Sequence, residues 1–312
     1  MNLYKPKFWQ SKNNFFFIIF LPVTYLILFF IYFKKKLTKS KYFKIPILCI
    51  GNIYVGGTGK TPLAIFIASE LKKLKKNPAI IKKFYKAHKD EHMLIKDKLN
   101  SLILDKDRTS AIKIAEKKYD LAILDDGFQD YKINKDLNIL CFHSKQLIGN
   151  GYSFPSGPLR ESKNSIKDAQ IIVINGKKNI KFERNIMNLN SNTQIFYSEY
   201  ILTGFEKYKN KKILAIAGIG NPDNFFDLLI QYGLKVKKTL SFPDHYNFSE
   251  NELDKIIRDA NTNDLTILTT EKDFLRIQKF KLNKINFCKI NLKIFEKEKL
   301  INQIIKLYDK KL

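Results

Sequence analysis

Residues 47–62, which read ILCIGNIYVGGTGKTP, constrain the fold of this chain more than any other stretch. An apolar β-type run at 47–50 enters a glycine-rich turn. The turn ends in Gly59, Lys60 and Thr61, at the head of a helical pattern over 63–74. Strand, glycine-rich loop and helix in that order make a phosphate-binding loop. Gly56, Gly57 and Gly59 let the backbone approach an anion and take positive φ where the turn needs it. The N–H groups at the helix start point at the anion, and the helix dipole favours negative charge there. In this pattern Lys60 neutralises the β- and γ-phosphates of a nucleotide, and Thr61 holds Mg2+ through its hydroxyl. Thr58 completes the turn, and Pro62 falls in the first helical turn, where its missing N–H costs little. The sequence departs from the usual pattern at Tyr54, where a glycine ordinarily stands six residues before the lysine.

The rest of the chain reads as the sheet that such a loop needs. Short apolar runs at 78–81, 101–104, 121–124, 138–142 and 171–174 alternate with helical or polar segments. That alternation predicts an α/β fold, a P-loop NTPase-like parallel sheet with helices on both faces. The run at 121–124 ends in Asp125 and Asp126. Ligands of open α/β sheets bind at the carboxyl ends of strands, so two acids there fit the second magnesium-binding element of P-loop enzymes. A long loop at 148–162 holds Gly149, Gly151, Pro155, Gly157 and Pro158, and loops of that length in compact domains are often functional. Strands at 213–216 and 265–268, a helix at 222–232 and a closing amphipathic helix at 298–307 continue the α/β pattern. The expected division is an N-terminal segment at 1–38, a P-loop core at 39–200 and a C-terminal part at 201–312.

Residues 15–33 are apolar apart from Thr24, Tyr25 and Tyr32. At about 1.5 Å per residue a helix over them measures roughly 28 Å, near the thickness of a bilayer's hydrocarbon core. Lys34, Lys35 and Lys36 follow at once, whereas Lys5, Lys7 and Lys12 precede the run. The positive-inside rule then places the body of the protein in the cytoplasm. A membrane helix is expected within 1–38, with spanning and lying in the interface both open. Net charge is +26, from 56 Lys and Arg against 30 Asp and Glu. This suggests an anionic partner, although the excess is carried by Lys and matches a general Lys, Asn and Ile richness. No zinc pattern or aromatic RNA-binding motif accompanies the charge, so nucleic acid is not the expected partner. Cys49, Cys141 and Cys288 lie far apart in apolar runs and read as buried thiols of a reducing compartment. His88 and His92 bracket Asp90 and Glu91, either as metal ligands on one helical face or as part of a solvated charged loop.

Beyond the loop and the acidic pair, an ordered set of motifs resembles the tetraacyldisaccharide 4′-kinase (lipid A 4′-kinase) family. It comprises GN at 51–52, VGGTGKTP at 55–62, DDGFQ at 125–129, GPLRE at 157–161, AGIGNP at 217–222, FPDH at 242–245 and TEKD at 270–273. The resemblance implies a P-loop kinase core with a smaller C-terminal α/β domain and the site in the cleft between them. It implies transfer of the γ-phosphate of ATP, with Mg2+, to the 4′-hydroxyl of an acylated glucosamine disaccharide 1-phosphate at the bacterial inner membrane. Carried onto this chain, it gives Lys60, Asp126, Asp90 and His245 catalytic roles, with Asp90 as the base and His245 as its partner. It gives Thr61, Asp125, Gln129 and Glu161 to the metal, and Tyr85, Glu91, Arg108 and Arg160 to the substrate. The chain departs from the family in three places. Asp130 follows DDGFQ where the family has histidine, Lys82-Lys83-Phe84-Tyr85 replaces S-R-G-Y, and the loop from there to the acidic pair is short. A monomer is expected. A reading from another class is a membrane-anchored P-loop ATPase that acts as a nucleotide switch or assembly factor. ATP turnover that depends on the acylated disaccharide separates the two.

Overall fold

The computed structural model describes residues 6–10, 15–85 and 89–309. The chain divides into two compact units. The first holds residues 1–84, 101–199 and 294–312, and the second holds 85–100 and 200–293.

The first unit is built on parallel strands in the order β3-β2-β4-β1-β5-β6-β7. These are β1 (Ile47–Gly51), β2 (Pro78–Lys83), β3 (Leu102–Asp105), β4 (Leu121–Asp125), β5 (Leu137–His143), β6 (Ile171–Asn175) and β7 (Gln194–Thr203), whose last residues belong to the second unit. β1, β4 and β6 are buried along their whole length. Parallel strands covered on both faces read as continuous Ile, Leu and Val runs for this reason. β1 lies between β4 and β5, with later strands added on both sides, so its carboxyl end is the topological switch point where such sheets bind ligands. Helices α3 (Lys60–Lys73), α5 (Arg108–Ala115), α6 (Ile180–Leu189) and α10 (Lys297–Asp309) belong to this unit. α5 and α6 start on side-chain caps, with Asp107 accepting from Ser110 N and Asn179 from Phe182 N.

The amino-terminal run does not form one helix. It breaks at Phe20 into α1 (Phe16–Ile19) and α2 (Leu21–Leu37). Pro22 sits in the first turn of α2 and starts that helix instead of kinking a longer one. No helix among the described residues is long and apolar enough to cross a membrane, which corrects the spanning alternative. α2 is attached to the first unit along one side. The Thr24 hydroxyl donates to Ser156 Oγ (2.8 Å) and accepts from Ser156 N (3.1 Å). Lys35 Nζ pairs with Asp168 at 2.5 Å. Just before it, Trp9 Nε1 donates to the Pro155 carbonyl, and Phe17 stacks on Tyr152. The other side of the segment exposes Phe15, Phe16, Ile19, Leu26, Phe29 and Phe30, each more than half accessible. Lys5 and Lys12 lie outside the described residues.

The second unit has its own parallel sheet, β11-β10-β8-β9, from β8 (Lys212–Ala217), β9 (Lys235–Ser241), β10 (Thr266–Thr270) and β11 (Ile285–Ile294). Its helices are α4 (Lys89–Lys98), α7 (Pro222–Gln231), α8 (Glu250–Thr262) and α9 (Glu271–Ile277). Two apolar clusters share β8: Ala215 and Phe225 in one, Leu214, Ile216 and Leu253 in the other. Ser249 caps α8 and Thr270 caps α9. All three cysteines are buried thiols.

Candidate active site

The phosphate loop joins β1 to α3. Gly59 caps α3 in the left-handed region at φ 91°, and Gly56 lies at φ 117°, so both turns need a residue without a side chain. A Cβ at Gly57 would meet nothing within 4 Å, which leaves that backbone open to an approaching anion. One buried side chain pins the loop from inside. Asn52 Nδ2 donates to the carbonyls of Tyr54 (2.7 Å) and Gly56 (3.1 Å) and to Thr58 Oγ1 (3.0 Å). From outside, Val55 N donates to the Pro158 carbonyl and Arg160 N to the Ile53 carbonyl. Tyr54, where a glycine was the usual residue, is fully buried, and its hydroxyl accepts from Gln10 Nε2 at 2.6 Å. The loop is therefore held by packing at a point where other P-loops use a bare turn.

The acidic pair faces the head of α3. The Asp125 carboxylate is fully buried; its Oδ2 accepts from Thr61 Oγ1 (2.8 Å) and from Lys82 Nζ (2.5 Å). Its Oδ1 is buried with no partner among the described residues. Asp126 takes a left-handed backbone at φ 62° and turns its carboxylate to Arg160 Nη1 (2.9 Å) and Lys60 Nζ (3.5 Å). Burial pushes the Asp126 carboxyl up, but Lys60, Arg160, Lys82 and Arg108 outweigh it and hold the group below its usual range. Arg108 fixes this turn by donating to the Asp126 carbonyl (2.8 Å) and pairing with Asp130 (3.4 Å). Gln129 Nε2 donates to the Asn52 carbonyl (2.9 Å), and buried Glu161 accepts from Ser165 Oγ (2.8 Å). The structure thus joins Thr61 to Asp125 directly, while no hydrogen bond among the described residues links Gln129 or Glu161 to either. The Thr61 hydroxyl and the two oxygens of Asp125 are hard donors that suit Mg2+, and the orphaned Oδ1 is a ready ligand position.

The second unit carries a separate ionic cluster. Asp90, in the first turn of α4, is buried. Its Oδ1 lies 2.9 Å from His245 Nδ1, and its Oδ2 accepts from Arg276 Nη2 (2.8 Å), with Lys272 Nζ at 3.6 Å. Burial raises the Asp90 carboxyl, yet the His245 hydrogen bond and the charges of Lys272 and Arg276 hold it far below the usual carboxylate range. His245 stands on the turn after β9 with φ 59°. Arg276 also donates to the Gly218 carbonyl (3.0 Å) and pairs with Asp273 (3.0 Å), which accepts from Gly218 N (3.0 Å) and Thr270 Oγ1 (2.6 Å). Lys272 donates to Glu91 at 2.9 Å. Burial works against its charged form, but Glu91, Asp90 and Asp244 raise it on balance.

The structure therefore brings Asp90 and His245 together. It groups Lys60, Thr61, Asp125, Asp126, Arg108 and Arg160 in the first unit, and Glu91 beside Lys272 in the second. Tyr85 is exposed. His88 lies outside the described residues; His92 is buried on α4, and the described residues hold no cluster of three or more His, Cys, Asp and Glu that could take a metal. Sequence reasoning gave no role to Lys82, Asn52 or Arg276. The available signals were a lysine near the end of a buried strand, the GN pair at the end of β1, and an arginine one helical turn beyond Asp273.

The family model described as Tetraacyldisaccharide-1-P 4′-kinase matches residues 17–309. A tetraacyldisaccharide 4′-kinase of Pelagibacter ubique is 39% identical over 315 residues, covering 99% of this chain and 100% of the relative. One of Rickettsia bellii is 33% identical, covering 89% of this chain and 90% of the relative. The crystal structure of the "apo" form of LpxK from Aquifex aeolicus in complex with ATP superposes with a TM-score of 0.73 at 26% identity, over 94% of this chain and 99% of that one. The chain belongs to the tetraacyldisaccharide-1-P 4′-kinase family.

Proposed function

We infer that this protein is the ATP-dependent tetraacyldisaccharide 4′-kinase of lipid A biosynthesis. The observation that carries the inference is the phosphate loop set against Thr61 and Asp125, in a chain that matches this kinase family along nearly its whole length. The loop backbone, the head of α3 and Lys60 bind the β- and γ-phosphates. Thr61 and Asp125 are the residues that would hold Mg2+, which would supply charge neutralisation on the phosphate oxygens. Arg160 and Arg108 set the Asp126 turn, so that its carboxylate stays ionised next to Lys60.

The acceptor is a sugar hydroxyl, a poor nucleophile at neutral pH. Its oxygen forms the new bond to the γ-phosphorus as the bond to the bridging oxygen breaks, and ADP leaves with that electron pair. The hydroxyl proton needs an acceptor within hydrogen-bond reach. Asp90 is buried, doubly ion-paired and held far below neutral pH, which makes it a poor acceptor. Its geometry suits orientation: with Nδ1–H donated to Asp90, the neutral His245 ring carries its lone pair on Nε2. His245 Nε2 then takes the proton, and Asp90 stabilises the imidazolium. Glu91 and Tyr85 contribute to holding the disaccharide.

The membrane reading rests on α1 and α2. Their apolar side is exposed, their other side is fixed to the first unit, and Lys34, Lys35 and Lys36 close the helix. That is the pattern of a helix lying in the membrane interface, with lysines at the anionic headgroups of the cytoplasmic face. The protein works there as a monomer on its lipid substrate.

Transfer of labelled phosphate from ATP to a tetraacyldisaccharide 1-phosphate tests the function. Phosphorylated lipid should form, and ADP release should depend on the lipid. ATP turnover indifferent to the lipid would instead support the switch ATPase. Lys60→Ala and Thr61→Ala should each lower turnover by roughly 10²-fold or more, the usual worth of one transition-state charge contact.

A further inference from the structure

Lys82 is the last residue but one of β2 and lies in register with Asp125 on the neighbouring strand β4. Only 7% of its side chain is accessible, so its ammonium has left bulk water. It lies 2.5 Å from Asp125 Oδ2 and 3.4 Å from Thr61 Oγ1. Those are the oxygens that the metal needs. A buried ammonium is tolerated where a carboxylate neutralises it, and a buried carboxylate needs a cation in return. Lys82 and Asp125 satisfy each other in this way.

Resting on the kinase reading above, we propose that Lys82 is a resident counter-ion of the metal niche, which a divalent cation displaces only when it arrives with nucleotide. A divalent ion on Thr61 Oγ1 and Asp125 would stand within a few ångströms of the ammonium, and two cations in a water-poor pocket repel strongly. Bare metal therefore meets an occupied niche. Mg·nucleotide brings its own anionic oxygens to the head of α3, and these give the ammonium a new partner as it leaves Asp125. A lysine suits such an exchange, because its charge is compact and sits on a flexible four-carbon stem. The empty protein is thereby spared an uncompensated buried carboxylate, and metal loading is tied to nucleotide loading.

The test is a titration of Mn2+, followed by the electron paramagnetic resonance signal of the free ion, on the nucleotide-free full chain. Wild type and Lys82→Arg should bind weakly. Lys82→Met, which keeps the length and loses the charge, should bind at least about tenfold more tightly, the effect of removing one like-charge contact worth on the order of 1.4 kcal/mol. The gain should vanish in the Lys82→Met/Asp125→Asn double variant. Equal affinities in wild type and Lys82→Met, or a gain that survives Asp125→Asn, overturn the proposal. A crystal structure of the wild type with Mg2+ and a non-hydrolysable ATP analogue decides the matter without any variant. Lys82 Nζ should have moved beyond about 4 Å from the Asp125 carboxylate, the limit of an ion pair; a Lys82 still paired with Asp125 beside the bound metal overturns it. Binding of the analogue, measured separately, tests the phosphate loop itself. Loss of that binding counts against the kinase reading, whereas retained binding with equal Mn2+ affinities counts against Lys82 alone.

Discussion

Asp90 is a carboxylate that the second unit cannot afford to protonate. Its folded-state pKa lies far below that of an unfolded aspartate, so its ionic contacts stabilise the unit fully above about pH 4. As pH falls through that value, the unfolded chain takes up the proton first, and the contribution drains away towards the folded pKa. Asp90→Asn carries no such term. Melting temperatures should therefore show the variant clearly less stable than wild type at pH 7, with the gap closing below about pH 4. A constant gap down to pH 3 would show that the ion pairs carry no net stability. In the reaction, His245→Asn and Asp90→Asn should each lower kcat by roughly 10²- to 10⁴-fold with little change in ATP affinity. The double variant should lose little more than the worse single one, since the two act as a unit. Multiplying losses would separate them.

At the scale of elements, α2 is a helix with two unlike sides. Thr24 and its neighbours tie one side to the loop around Ser156, while Leu26, Phe29 and Phe30 face outward. A single Thr24→Val change should loosen the helix and cost about 1 kcal/mol of stability, the usual worth of a buried hydrogen bond, measured by denaturant midpoint. Leu26→Glu with Phe30→Glu leaves the tied side alone and should release the protein from anionic vesicles at high salt. Full co-sedimentation of that variant would put the attachment elsewhere. The phosphate loop shows the opposite economy, since the two N–H groups of Asn52 alone reach three acceptors around it. Asn52→Ala should weaken nucleotide binding by roughly tenfold while leaving the sheet intact, as read by titration calorimetry and circular dichroism.

At the scale of the whole molecule, the local grammar was legible and the long-range exchanges were not. Strand, loop and helix around Gly59 follow from patterning and turn chemistry, which act over a few residues. The acidic ends of strands follow from strand polarity. Asp90 and His245 were paired only by a family likeness, because 155 residues separate them and no periodicity spans that distance. The one signal at Lys82, a lysine near the end of a buried strand, was too weak to read, since such a lysine is ordinarily a solvated terminus. The apolar run at 15–33 illustrates a different limit. Composition reported its hydrophobicity correctly, but which side is tied down depends on the contacts of Phe17 with Tyr152 and of Thr24 with Ser156, which composition cannot express.

The chain path has a consequence for how the protein is made. α10 belongs to the nucleotide-binding unit, where Leu300, Ile301, Ile304 and Leu307 are buried, Lys297 pairs with Glu70 of α3 (3.1 Å) and Tyr308 reaches Asp120 (3.2 Å). Yet α10 is synthesised after the strands and the other helices described in both units. The ribosome completes the strands of the second unit while the first, begun earlier, still lacks a helix. The nascent phosphate loop therefore waits on α10, with the apolar surface meant for that helix uncovered until then. Ribosome-bound chains halted at residue 296 should fail to retain an ATP analogue that released chains hold, and should recruit more chaperone than chains halted after residue 309.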